Sequence, residues 1–211
     1  MPDSSVPPVA PRAVGLARVV VGVAVIAVLL YTYVIGLPAG RVNLFDYFGY
    51  FTNLTSLLMS ILLIVAGALT LRRRAAPAWL TLVRGIGTTC MLLVAVIYNV
   101  VVPGTGSAPV WVSILLHIVF PLLVALDWAL VDDREPLPWR RLWTVVVYPV
   151  VWIAVVLVRG ATDGWVPYGF LLPSRGVTTL VATVAGLLVA LLAFGSLVWV
   201  ASRLRLSERR A

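Results

Sequence analysis

The stretch VWVSILLHIVFPLLVALDWALV, Val110 to Val131, decides how the rest of the chain is read. About 20 mainly apolar residues in a helix cross the hydrocarbon of a bilayer, so this stretch predicts a transmembrane span. It holds the only histidine of the chain, His117, with Pro121 four residues on and Asp127 six beyond that. An ionisable side chain within a span is costly unless it faces a protein interior, which makes it a candidate functional group.

Working outward, the composition agrees. The chain has 211 residues, 62% hydrophobic and 11% charged, with a mean hydropathy of +1.06; soluble domains are about a quarter charged. Five further segments match the length rule, near 14–37, 47–71, 80–102, 142–158 and 177–201. The fold expected is all-α: a polytopic helix bundle of six transmembrane helices in one domain, 14–201. Residues 1–13, polar and proline-rich, read as a disordered cytoplasmic N-terminus, and 202–211 as a basic cytoplasmic tail. The first apolar run is too long for a signal-peptide core and reads as a retained helix. The location expected is the cell membrane, as a multi-pass protein.

All 16 cations are arginine, a usage that fits a GC-rich bacterial genome. They sit between apolar runs as topology signals rather than on one phosphate-binding face, so nucleic acid is not an expected partner. With both termini inside, the loops on that side carry Arg12, Arg18, Arg72 to Arg74, Arg84, Arg134, Arg140, Arg141 and the four arginines of the tail, against Arg41, Arg159 and Arg175 outside. Five or seven spans would scramble that asymmetry. The lone Cys90 allows no intramolecular disulfide and reads as a packing residue; no metal and no cofactor are expected.

With this topology the polar residues share a level. His117 lies seven residues into its span, about 10 Å deep, and Thr52 five residues into the second, about 8 Å, at 1.5 Å per residue. Thr52, Asn53, Thr55, Ser56 and Ser60 form one stripe that should face the bundle interior, as reactive groups or as interhelical hydrogen bonds. Tyr98 and Asn99 fall at the same level on the third span. Asp46, Arg159 and Asp163 fall at the outer rim, below an aromatic loop with Trp165, Tyr168 and Phe170. The inner half looks quieter. Asp127, about 15 Å beyond His117 along the axis, reads as a structural partner of Arg84, Arg140 or Arg141. Pro121 has no N–H for the carbonyl four residues back, which belongs to His117, so a kink or a free acceptor is expected there.

A buried imidazole favours its neutral form, which can act as a base, and a threonine hydroxyl becomes nucleophilic when a base takes its proton. Thr52 and His117 therefore form a candidate catalytic pair. Asn53 or Asn99 can donate to an oxyanion, Tyr98 and Thr55 are further candidates at the site, and Arg159 can hold a substrate carboxylate.

YFTNLTSLL in the second span, LLHIVFPLLVALDW in the fourth, and Tyr148-Pro149 with Arg159-Gly160 in the fifth resemble the androgen-induced and androgen-dependent family of multi-pass membrane hydrolases, above all its short bacterial relatives. The resemblance spans most of the chain through short apolar motifs. It implies an intramembrane threonine hydrolase of fatty-acid esters of hydroxy fatty acids, with one threonine and one histidine at the centre. Carried over, the histidine is His117 and the threonine Thr52, with Thr55 as the alternative. The partners expected are membrane lipids and an amphiphilic ester substrate; nothing in the sequence sets the oligomeric state. The alternatives are a small membrane transporter and a non-catalytic assembly protein. A haem carrier lacks the usual second axial histidine.

Overall fold

The computed structural model describes residues 9–104 and 108–204. Among them there is no strand, and six helices are long and apolar enough to cross a membrane: Arg12–Ala39, Phe51–Leu71, Ala78–Val101, Val110–Leu130, Trp139–Thr162 and Val177–Ala201. This is the signature of a multi-pass membrane protein. Most of the expected N-terminal and C-terminal segments lie outside the described residues. The six antiparallel crossings bring Arg12 and Ala201 to one end of the bundle, here the terminal end; the loops after the first, third and fifth spans lie at the far end.

Two boundaries differ from expectation in ways that matter. The second span starts at Phe51, because Leu44–Gly49 is a separate short helix and Tyr50 is extended, with φ −64° and ψ 129°. Asn43 caps the short helix by accepting from the Phe45 N–H at 2.9 Å. Gly49 lies so close to the Trp165 ring that a Cβ there would sit 2.4 Å from it, and its carbonyl accepts from the Trp152 indole at 2.8 Å. The break is thus set by tertiary packing, and a hydropathy window passes over it. The fifth span starts at Trp139, its first eight residues being a 3₁₀ helix.

The first two spans pack most closely. Gly15 and Gly22, two helical turns apart, face Gly67 and Ser60; a Cβ on Gly67 would come within 2.5 Å of the Gly15 carbonyl, and one on Gly22 within 2.7 Å of the Ser60 carbonyl. Small residues let membrane helices approach backbone to backbone, where apolar side chains gain little over lipid tails. Gly67→Leu should force the pair apart at a cost of about 1–3 kcal/mol, the usual range for overpacking, read as a lower thermal midpoint in detergent.

The third span is the axis of the bundle. It divides one apolar cluster, where Val25, Leu29, Met59, Leu63, Leu116 and Phe120 meet, from another built from Phe51, Leu93, Trp152, Ile153, Leu171 and Leu191. The stripe on the second span does turn inward: Thr52, Thr55, Ser56 and Ser60 are buried.

The terminal half is not quiet. Arg18 and Arg84 are both buried, and each reaches both Asp127 and Asp133. Arg18 Nε donates to Asp127 at 2.7 Å and Nη2 to Asp133 at 3.1 Å; Arg84 Nη2 donates to Asp127 at 2.8 Å. Thr70 accepts a further bond from Arg18 at 3.3 Å. Burial works against the charge on Asp133, but the two guanidiniums outweigh it and hold this carboxyl below its ordinary range. Of the partners expected for Asp127, Arg84 is present; Arg18 takes the other place, not Arg140 or Arg141. Four opposite charges thereby join the first, third and fourth spans to the loop after the fourth.

Candidate active site

At the far end, two short π turns face each other. One closes the third span at Ile97–Val101; the other interrupts the fourth at Leu115–Val119. Such turns are rare and gather at functional sites. Tyr98 comes from the first and His117 from the second, and their rings stack with centroids 3.5 Å apart and planes 12° apart. The acceptor that Pro121 leaves free is used: Asn99 donates to the His117 carbonyl at 3.2 Å, and to Ala95 at 2.8 Å.

The His117 Nδ1 lies 2.8 Å from the Ser113 carbonyl. A carbonyl only accepts, so Nδ1 carries the proton. In the neutral ring the lone pair is then on Nε2, the nitrogen left to act as a base.

A cleft with about 50 Å³ of internal space opens between the second, third, fifth and sixth spans, and Thr52 and Tyr98 both line it. The remaining wall is apolar or aromatic, with Phe51, Leu93, Trp152, Tyr168, Phe170 and Leu191 among its residues and no charged side chain. Burial pushes the Tyr168 phenol up from its ordinary value, and a hydrogen bond with Thr52 works against that. His117 is not on the cleft wall, and no hydrogen bond joins it to Thr52 among the described residues; Tyr98, lining the cleft and stacked on the imidazole, is common to both. The depth comparison made from helix starts does not survive, since Thr52 is only the second residue of its helix. Tyr98, on the cleft wall with Thr52 and stacked on His117, now carries the association.

The other candidates are dispersed. The Thr55 hydroxyl is 3.0 Å from that of Tyr148. Asn53 donates to the Tyr47 carbonyl at 2.8 Å. Arg159 is engaged at the rim by Asp46 at 2.7 Å and by Asp163 at 2.7 and 2.9 Å, and lies 4.3 Å over the Trp165 ring. None of these three lines the cleft. Among the described residues, no three His, Cys, Asp or Glu side chains gather as metal ligands.

Tyr168 and Phe170 are cleft residues that the sequence marked only as loop aromatics. Their loop is fastened by the Asp46–Arg159–Asp163 group and by Asp163 accepting from the Trp165 N–H at 3.0 Å. The bonds from Arg159 and Trp165 hold Asp163 below the ordinary carboxylate range. A depressed carboxylate stabilises the fold above its unfolded pKa, and that contribution is lost as pH falls through the folded value. Asp163→Asn should therefore raise hydrogen exchange across the Trp165–Phe170 loop at neutral pH, and acidification below about pH 4 should do the same to the unaltered protein.

No family model matches the chain, and no curated protein or solved structure matches it.

Proposed function

We propose that the chain is a membrane hydrolase of lipid esters, with Thr52 as nucleophile and His117 as base. One observation supports this most: Thr52 lines an uncharged cleft, and Tyr98 on that cleft lies face to face with an imidazole whose Nε2 is left to take a proton. In the proposed reaction Thr52 Oγ attacks the ester carbonyl carbon while its proton is relayed past Tyr98 to His117 Nε2. The bond to the leaving alcohol breaks, and the imidazolium returns the proton to that alcohol. A water deprotonated by His117 then attacks the acyl carbon; the acyl–Oγ bond breaks, the imidazolium returns its proton to Thr52 Oγ, and the fatty acid leaves.

The arginine asymmetry supports an orientation with both termini in the cytoplasm of a cell-membrane protein. The ester would then lie under the outer headgroups. Asn99 is a donor near the imidazole but is already used on two carbonyls, so oxyanion stabilisation falls more naturally to Tyr98 or Tyr168 at the cleft.

The test is ester turnover by the purified protein in nanodiscs. Release of fatty acid from a long-chain ester supports the reading; flux of a solute into proteoliposomes without hydrolysis replaces it with transport. Transport has a specific observation in its favour, because buried polar groups continue past the cleft. Ser56 and Ser60 are buried with hydroxyls unpaired, and the Arg18–Arg84–Asp127–Asp133 group lies beyond them.

A further inference from the structure

The start of the fifth span is built differently from every other span. Trp139–Val146 is a 3₁₀ helix of eight residues, whereas runs beyond three or four are uncommon because the hydrogen-bond geometry is poorer. In this helix residues i and i+3 lie one above the other. The inward edge is Leu142 and Val145, seated where Gly195 has no side chain; a Cβ there would be 3.1 Å from Leu142 and 3.2 Å from Val145. The outward edge is Arg140 and Trp143, which the 3₁₀ geometry places directly one above the other. Both are exposed, Trp143 at 62%.

Charge at this end is unevenly spent. Asp127 and Asp133 are taken by the buried Arg18 and Arg84. Arg140 and Arg141 are exposed and reach no carboxylate among the described residues. Beside them Arg203 lies 4.9 Å over the Trp139 ring and is tied to the Leu137 carbonyl at 2.6 Å. Two unpaired guanidiniums flanked by exposed indoles, at the point where an apolar span begins, match a lipid phosphate above its acyl chains: guanidinium forks bind phosphate oxygens, and tryptophan settles at the headgroup level.

We propose that Arg140 and Trp143, held in register by the 3₁₀ helix, and Arg141 beside them on the same turn form a binding site for the headgroup of an anionic membrane phospholipid. The site is independent of the hydrolase reading and lies at the opposite end of the bundle from the cleft.

Native mass spectrometry of the purified full chain, titrated with phosphatidylglycerol or phosphatidylcholine, tests it. A cation near an anionic lipid surface is worth about fivefold in affinity, so Arg140→Gln with Arg141→Gln should weaken phosphatidylglycerol binding about tenfold or more. Phosphatidylcholine binding should be unchanged. Trp143→Ala should weaken binding with no change of charge. Arg72→Gln with Arg73→Gln removes the same charge from exposed positions at the same end but outside the proposed site, and should weaken binding much less than the Arg140/Arg141 pair. An unchanged thermal midpoint shows that each variant is folded. Equal losses in the two double variants, or no preference for phosphatidylglycerol in the unaltered protein, would overturn the proposal.

Discussion

Arg84→Leu lowers the unfolding free energy by about 3–5 kcal/mol, the cost of removing one partner from a buried ion pair. Arg84 is 1% exposed and bonds Asp127, while its second nitrogen faces Asp133. Without it, two carboxylates share Arg18 alone in a setting with little water to solvate the excess charge. The penalty is that of stranded charge, so neutralising the whole group should cost less than breaking it. Replacing Arg18 and Arg84 by methionine together with Asp127 and Asp133 by leucine should recover much of the loss, since apolar substitutes of similar volume are often neutral or better. Thermal unfolding in detergent measures both. A quadruple variant as unstable as Arg84→Leu would mean that the four charges hold the bundle by attraction, not merely by mutual neutralisation. Acid should act in the same direction as the single variant. Asp133 is held below its ordinary range, so its contribution is complete above about pH 4 and lost as pH falls through its lower folded value.

If the proposed hydrolysis holds, Thr52→Ala and His117→Ala should each reduce ester turnover by about 10²–10⁴-fold, the range for losing a positioned acid–base group. Thr52→Ser keeps a hydroxyl at the cleft and should keep measurable activity. Thr55→Ala separates the two threonines: Thr55 bonds Tyr148 away from the cleft wall, so its loss should change turnover far less than that of Thr52. Tyr98→Ala removes the ring that both lines the cleft and stacks on the imidazole. Its loss should lower kcat; Tyr98→Phe keeps the ring stacked on His117 but removes the phenol, and should fall between Tyr98→Ala and the unaltered protein.

The six spans were legible because the property that makes them cross a membrane is the property a hydropathy window reads. Pro121 was legible in half: its missing N–H announced a free carbonyl at His117, but nothing local could say that Asn99, 18 residues earlier, would fill it. The two π turns left no sequence signal beyond that proline. The start of the second span was misjudged because Gly49 and Tyr50 break the helix through contacts with Trp165 and Trp152, more than a hundred residues away in sequence. Arg18 looked like the other arginines at span ends. Whether such a side chain reaches out to headgroups or turns in to a carboxylate depends on Asp127 and Asp133, at separations of 109 and 115 residues. Depth counted from apparent helix ends brought Thr52 and His117 to one level; what relates them is Tyr98, which lines the cleft with Thr52 and stacks on His117, and which spacing ranked only among the accessory residues.

The most direct measurement is active-site labelling of the purified protein with a long-chain fluorophosphonate, followed by mapping of the modified residue by mass spectrometry. The account predicts a phosphonyl adduct on the Thr52 hydroxyl that is lost in His117→Ala. An adduct on another residue, or one on Thr52 that forms equally well without the imidazole, would contradict it.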